Sequence, residues 1–316
     1  MKPVAAADYR DETSARKVFE SLRWPGGPVC HHCGGSKHYA TKKEGRYRCA
    51  NKECRKDFTV MTGTVMERSH VPIHKWLEAF SIMCESKKGV SSLQLQRHLK
   101  ISYKAAWFLS HRIREAMRDG GLTPPPMLGG GGKIVEADET YFGNVDKANR
   151  RTMRTRGTPF IKKGKRGGPA NKRPILSLVE RGGRVRSFHV ATADQVSVTA
   201  IVTDNIDRET RLHTDESKLY FHMSKEFASH ETVKHRTKEY VRGDVHTNSA
   251  EGFFSIFKRG MRSNYQHCKE KHLHRYLAEF DFRYNHRIKL GYNDGDRAAL
   301  AVKGIEGKRL TYRQPH

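Results

Sequence analysis

The chain has 316 residues, enough for at least two domains, and it is strongly basic. Sixty lysines and arginines against 34 aspartates and glutamates give a formal charge of +26. Solubility does not require such an excess, so it indicates a polyanionic partner, with nucleic acid as the first candidate. No apolar run approaches the roughly 20 residues of a membrane span, and no basic amphipathic helix with a large apolar face stands out. A membrane is therefore not expected as the partner.

The first 20 residues contain no apolar segment long enough for a secretory signal, so we expect a cytoplasmic protein. Six cysteines in such a chain argue against a disulfide framework. Four of them form two close pairs that are separated by fifteen residues: Cys30, Cys33, Cys49 and Cys54. Paired thiolates flanking a short hairpin are typical of a tetrahedral structural zinc site, which predicts a zinc ribbon over residues 20–66.

Other residues near this motif offer weaker alternatives. A histidine could replace one cysteine as a zinc ligand, and three are close enough in sequence: His31, His32 and His38. Cys84 and Cys268 are isolated, so we interpret them as ordinary thiols.

Residues 70–119 have the apolar spacing of helices. Ser91 or Ser92 can cap a short helix, and Ser102 is a suitable N-cap of the next. A short helix, a tight connection and a longer helix with basic side chains resemble a helix-turn-helix DNA-binding unit. The basic side chains of the longer helix include Lys104, His111, Arg112 and Arg114. Periodicity alone is equally compatible with an ordinary three-helix packing unit, and the charge of the chain favours DNA.

Three prolines and a glycine run at residues 120–132 predict a linker. Residues 133–290 then read as three strands, a helix, a strand, a further short strand and helices, which predicts an α/β domain with a mixed sheet. Residues 291–316 are expected to form a C-terminal tail. A basic insertion at residues 144–173 contains eleven lysines and arginines, and we interpret it as an arm that binds phosphate. A solvated insertion without that role is the alternative.

Several acids of this domain lie in apolar or β-branched surroundings. Asp138 follows IVEA, Asp215 follows RLHT, and Glu251 opens a helical pattern in which Lys258 lies on the same face. A carboxylate in such a place is costly unless something compensates its charge, and a shared divalent ion would do so. Strand alternation does not choose Asp138 over Glu136 or Glu139, nor Asp215 over Glu216.

The order of these motifs along the chain is informative. The cysteine pairs, GTVMERSHVPIHKWLEAF, VEADETYFG, HTDESKLY, HTNSAEGFFSIFKRG and HLHRYLAEFDFRYNHR resemble the bacterial insertion-sequence transposases of the ISXO type. The resemblance covers residues 20–290. It implies a ribonuclease-H-like catalytic domain with a DDE triad, which follows the zinc ribbon and the helical unit along the chain.

Carried over by motif, the resemblance implies that Asp138, Asp215 and Glu251 bind Mg²⁺ or Mn²⁺ and that Lys258 assists them. Related sequences use Asn or His as the third ligand, which keeps His246 and Asn248 as alternatives to Glu251. The implied activity is metal-dependent DNA cleavage and strand transfer at the terminal inverted repeats of an insertion sequence. Such an enzyme acts on double-stranded DNA as a dimer or higher oligomer at the nucleoid. The alternatives are a silent transposase kept as a DNA-binding regulator and a nuclease of the same fold without joining activity.

Overall fold

The computed structural model describes residues 3–120, 124–144, 172–234, 237, 239 and 241–311. The chain divides into two compact units, Met1–Pro124 with His286–His316, and Pro125–Asn285. The α-helices within the described ranges are α1 (Glu12–Arg23), α2 (Ile73–Glu85), α3 (Ser92–Leu99), α4 (Tyr103–Met117), α5 (Gln195–Asn205), α6 (Asn248–Gly260), α7 (Leu273–Asn285) and α8 (Asp294–Lys303). The strands in the same ranges are β1 (His38–Ala40), β2 (Arg46–Cys49), β3 (Asp57–Thr59), β4 (Ile134–Asn144), β5 (Lys172–Glu180), β6 (Val185–His189), β7 (Arg211–Asp215) and β8 (Ser229–Val233).

The first unit begins with α1 and a small antiparallel sheet in the order β1-β2-β3. The β1–β2 hairpin turns at Gly45, whose φ of 71° lies in the region that favours glycine. Trp24, Tyr47 and Phe58 form an aromatic core beneath this sheet, with ring centroids 5.7–6.0 Å apart. The hairpin that the sequence predicts between the two cysteine pairs is confirmed.

Helices α2, α3 and α4 follow the small sheet, as the apolar spacing predicts. The side chain of Ser91 accepts a hydrogen bond from the backbone of Gln94, and that of Ser102 accepts one from Ala105. The structure therefore selects Ser91 over Ser92 as the first N-cap and confirms Ser102 as the second. Three residues connect α3 to α4, and the first of them, Lys100, has a left-handed φ of 50°.

Most of α4 is buried, which corrects part of the DNA-binding interpretation. His111 and Arg114 are 1 % exposed and Arg112 is 8 % exposed, because α4 packs against α2, α3 and α8. Arg114 donates to the hydroxyl of Ser110, and Arg112 donates to the carbonyl of Glu67. These three basic side chains therefore belong to the interior of the helical unit and not to its surface. The exposed part of α4 is its first turn, which includes Lys104.

Residues 291–316, expected as a tail, contain helix α8. Its buried apolar side chains are Ala298, Ala299, Ala301 and Val302, and the helix packs against α2. The segment that follows α8 is held by the backbone N–H of Val65, which donates to the carbonyl of Ile305. The C-terminal segment is therefore a structural part of the first unit, up to the last described residue, 311.

The second unit is built on a mixed five-stranded sheet in the order β6-β5-β4-β7-β8. Strands β4, β5 and β6 pair antiparallel, and β4, β7 and β8 pair parallel. The hairpin between β5 and β6 turns at Gly182, with a φ of 73°, and the segment that periodicity left ambiguous forms helix α5.

Two hydrophobic cores cover the two faces of this sheet. Val135 and Ala137 of β4 pack on one face with Val198 and Val202 of α5. On the other face, β5 and β6 pack against the aromatic side chains of α6 and α7, which include Phe253, Phe254, Phe257 and Phe280. A mixed sheet in this strand order, flanked by helices, is the ribonuclease-H-like fold that the resemblance implies.

The predicted linker differs from expectation, and most of the basic insertion lies outside the described residues. Leu128 is buried in the core beside α5, and its backbone bonds to Asn205 and Asp207, so the second half of the segment 120–132 belongs to the second unit. Gly129 has a φ of 84° and lies directly against Thr210, where a Cβ would clash. The insertion begins and ends in strands β4 and β5, and its residues 145–171 lie outside the described residues.

Candidate active site

Asp138 and Asp215 lie on neighbouring parallel strands at the same end of the sheet. The register between β4 and β7 pairs Ala137 with Thr214, so the two aspartates follow the last paired residues directly. Carboxylate oxygens of Asp138, Glu139 and Asp215 all lie within 4.8 Å of one another. All three side chains are half-buried. The sheet therefore brings together the first two acids that the sequence predicts and adds Glu139 to them.

Close packing of these acids changes their protonation. Burial raises the pKa of Asp138 to about 8, with further contributions from Glu139, Asp215 and Glu251. Burial and Asp215 also raise the pKa of Glu139 to about 7, although the nearby Tyr220 opposes that shift. Part of the charge that the cluster would carry is therefore suppressed by proton uptake, and a bound cation would compensate the remainder.

Glu139 points to the face of the sheet opposite Asp138, because side chains alternate along a strand. That face holds Tyr220, which is 1 % exposed and lies in the core with Val135 and Ala137. The Glu139 Oε1 atom and the Tyr220 hydroxyl are both buried, and neither makes a hydrogen bond of good geometry. An unsatisfied buried carboxylate oxygen beside two other acids suits a cation ligand. In the sequence, Asp138 and Glu139 are adjacent, and that adjacency alone does not show which of the two binds a cation.

Helix α6 carries Glu251 and Lys258. Its apolar face, which includes Phe253 and Phe257, packs against β5, while Glu251 is exposed in the first turn. Glu251 lies outside the group of carboxylates within 4.8 Å, but its charge contributes to the raised pKa of Asp138. Burial and Arg262 lower the pKa of Lys258, and Asp138 acts in the opposite direction. Both predicted side chains of α6 are thus within electrostatic reach of Asp138.

The alternative third ligands have other surroundings. His246 Nδ1 lies 3.2 Å from a terminal nitrogen of Arg181 and 3.3 Å from Oε1 of Glu136. Asn248 is exposed at the start of α6, where its backbone N–H donates to His246. His246 therefore belongs to a group around the buried Glu136 rather than to the three clustered carboxylates.

The four cysteines form a second candidate metal centre, in the first unit. Their sulfur atoms all lie within 4.8 Å of one another, with Cys30 3.8 Å from Cys54 and Cys33 3.5 Å from Cys49. The backbone N–H of Gly35, followed by the other cysteines, lowers the pKa of Cys33 to about 7. Four sulfurs from two short turns can surround one tetrahedral ion.

His31, His32 and His38 lie outside the group of four sulfur atoms. His38 packs edge-on against Tyr47 at 5.1 Å, and its Nδ1 contacts the carbonyl of Ser36. His31 lies against Gly63. The structure therefore groups cysteines alone around this centre, within the described residues.

Two family models match the chain. Residues 127–285 match the ISXO2-like transposase domain, and residues 10–57 match the transposase zinc-ribbon domain. The matched catalytic domain spans half of the chain, so the protein belongs to the ISXO2-like transposase family. No helix among the described residues has the length and apolar character needed to cross a bilayer.

A curated relative and a solved structure are also similar. The relative is an uncharacterized protein in transposable element ISH50 of Halobacterium salinarum, 27 % identical over 280 residues, which covers 87 % of this chain and 91 % of the relative. The crystal structure of the Mos1 strand transfer complex matches with a TM-score of 0.23 and 12 % identity, over 67 % of this chain and 76 % of the other.

Proposed function

We propose that this transposase binds the terminal inverted repeats of an insertion sequence, cleaves DNA there and joins the freed 3′-hydroxyl to target DNA. The observation that carries the proposal is the cluster of half-buried carboxylates at the ends of β4 and β7, in a domain that matches a transposase family. Binding to DNA is supported by the charge of +26.

The carboxylate cluster fits a hard divalent cation such as Mg²⁺ or Mn²⁺. The cluster offers oxygen ligands, and burial together with the neighbouring acids raises the pKa of Asp138, so a bound cation would stabilise the ionised carboxylates. Asp138 and Asp215, with Glu251, would hold the metal. When bound, divalent ions activate a water or hydroxyl and stabilise the leaving oxygen in phosphoryl transfer.

Glu251 is our choice for the third ligand, and Glu139 is its rival. Glu251 extends from the helix that packs on the same sheet face as Asp138, and it matches the motif of the ISXO-type transposases. Glu139 is closer to the two aspartates but faces the Tyr220 side of the sheet. Lys258, on the same helix face as Glu251, would hold a DNA phosphate beside the carboxylates.

The first unit would recognise DNA ends. The four cysteines would hold Zn²⁺, which orders the small sheet β1–β3, and the exposed first turn of α4 would contact the duplex. The basic segment 144–173 would add contacts to the DNA phosphates, which do not depend on the base sequence. Two ends must be paired for joining, so the protein would act as a dimer or higher oligomer on DNA, at the nucleoid in the cytoplasm.

Product analysis tests the proposal. Purified protein is incubated with Mn²⁺, a labelled duplex carrying the terminal inverted repeat that flanks its coding sequence, and an unlabelled target duplex. The proposal expects labelled strands joined to the target with wild type and none with Asp138→Ala, which should still bind the end. Cut strands that are never joined would identify a nuclease, and binding without any cut would identify a DNA-binding regulator.

A further inference from the structure

The N-terminus of helix α6 is capped by a side chain from a different part of the chain. Its own N-cap residue, Thr247, makes no side-chain cap. Glu136 of strand β4 accepts hydrogen bonds from the backbone N–H groups of Ser249, at 2.7 Å, and Ala250, at 3.1 Å. These two groups belong to the first turn, where helix N–H groups lack partners within the helix. A carboxylate 113 residues away in sequence thus replaces the usual cap.

Glu136 is fully buried, and both of its oxygens are used. Oε1 also accepts from the hydroxyl of Ser249, at 2.9 Å, and from Arg181, whose Nε and Nη2 atoms lie 3.0 Å and 2.9 Å away. Arg181 further donates to the carbonyls of Asp244 and His246, in the loop that leads into α6. Since its lone pairs are filled by protein donors, Glu136 is unsuited to bind a metal itself.

This cap joins strand β4, which carries Asp138, to helix α6, which carries Glu251. Asp138 lies two residues after Glu136 and therefore on the same sheet face. Glu251 directly follows Ala250, whose backbone N–H group donates to Glu136. The cap therefore fixes the backbone immediately before Glu251. We infer that Glu136 is a positioning residue, which sets the location of Glu251 relative to Asp138. The inference rests on the proposed function, because it assumes that Glu251 is the third ligand.

The chemistry requires a carboxylate at this position. Glu136 faces backbone N–H groups, a guanidinium, a hydroxyl and Nδ1 of His246. The N–H groups and the guanidinium can only donate. In Glu136→Gln, the amide nitrogen would place a donor against these donors and remove the charge that Arg181 and the helix N-terminus stabilise. The start of α6 would then shift with little change in side-chain volume.

Mn²⁺ titration of the full chain without DNA, followed by electron paramagnetic resonance, tests this inference. Outer partners that orient metal ligands are typically worth about 10–100-fold in metal affinity. We expect Glu136→Gln to weaken Mn²⁺ binding by about 10-fold or more. If that variant does not fold, Glu136→Asp keeps the charge, retracts the cap by one methylene and should weaken binding in the same direction.

Asp281→Asn is the matched control. Asp281 is also a buried carboxylate that ties a helix to the sheet, since it accepts from the backbone and hydroxyl of Ser187 on edge strand β6. Its loss should lower the unfolding temperature while leaving Mn²⁺ affinity within about twofold of wild type. Equal losses of affinity in Asp281→Asn and Glu136→Gln would show a general effect of destabilisation and would overturn the positioning role.

Two further variants separate this inference from the proposed function. Weaker Mn²⁺ binding in Asp138→Asn and Glu251→Gln, together with wild-type binding in Glu136→Gln, would overturn the positioning role and leave the metal site standing. Wild-type binding in Asp138→Asn and Glu251→Gln would overturn the metal site itself.

Discussion

Asp138 and Asp215 lie side by side at the point where the parallel pairing of β4 and β7 ends. Each follows a residue of the last register pair, Ala137 and Thr214, so the backbone of the sheet fixes their separation. With Glu139 they form a cluster of three carboxylates that is partly removed from water. Without a cation, such a cluster is destabilising whenever the acids are ionised.

The pH dependence of stability should reveal this cost. The folded protein raises the pKa of Asp138 to about 8 and of Glu139 to about 7, whereas in an unfolded chain such acids titrate near 4. The folded state therefore binds these protons more tightly, and its stability falls as the pH rises from about 4 through 8. We expect the metal-free unfolding temperature to fall between pH 6 and pH 9 in thermal scans.

Metal should reverse that loss. At pH 8.5, saturating Mg²⁺ or Mn²⁺ is expected to raise the unfolding temperature by about 2–4 °C or more, and it should have less effect at pH 5.5, where protons compete for the carboxylates. An unfolding temperature that does not respond to metal at pH 8.5 would contradict the cation site.

Asp138→Asn should separate stability from activity. Removing one carboxylate relieves repulsion within the cluster, so the metal-free variant should be more stable than wild type at pH 8.5, by about 0.5–2 kcal/mol. The same variant should lose cleavage and joining by more than about 100-fold. Chemical denaturation and strand-transfer assays measure the two effects, and a less stable variant would show that Asp138 has a structural role.

Removal of the cysteine cluster should affect the first unit alone. Cys49→Ser is expected to reduce bound zinc from about one ion per chain to none and to expose the β1–β3 sheet to proteases. The second unit should keep its Mn²⁺ affinity, because it is a separate compact unit. Cys84→Ala is the control: its buried thiol lies in α2, outside the cluster, so zinc content should not change. Zinc loss in both variants would contradict the four-cysteine site.

The first turn of α4 should contact DNA. Lys104 is exposed there, beside backbone N–H groups that favour phosphate, whereas His111, Arg112 and Arg114 are buried. Lys104→Ala should weaken binding to the end-containing duplex and reduce the salt dependence of binding by about one counterion. Lys303→Ala removes the same charge from an exposed position on α8 and should have a smaller effect. Equal effects would indicate non-specific attraction.

Much of the site follows from local patterns in the sequence. The cysteine spacing, the strands that carry Asp138 and Asp215, and the helix that carries Glu251 and Lys258 all depend on residues close in sequence. The apolar periodicity of these segments also predicts most helices and strands of the second unit. The second unit has these elements in the expected order, whereas helices α1 and α8 of the first unit are not predicted.

Other features depend on pairings between distant segments, which a single sequence does not reveal. Glu136 and Asp138 look alike in the strand pattern, and only the position of α6 shows that Glu136 caps a helix. In the sequence, the basic side chains of α4 indicate a DNA-binding surface. In the structure, α8 packs against α4, and most of these side chains are buried. That same packing makes an apparent tail part of the first unit. Tertiary contacts decide these cases, and local propensity does not.

The identity of the third ligand is the central claim that most needs a direct measurement. Strand transfer is compared for Glu251→Gln, Glu139→Gln and wild type, with Mn²⁺ and a pre-cleaved duplex carrying the inverted repeat. We predict that Glu251→Gln loses joining by more than about 100-fold, whereas Glu139→Gln keeps activity within about tenfold of wild type. Full joining by Glu251→Gln, with loss in Glu139→Gln, would contradict the account and assign the third position to Glu139.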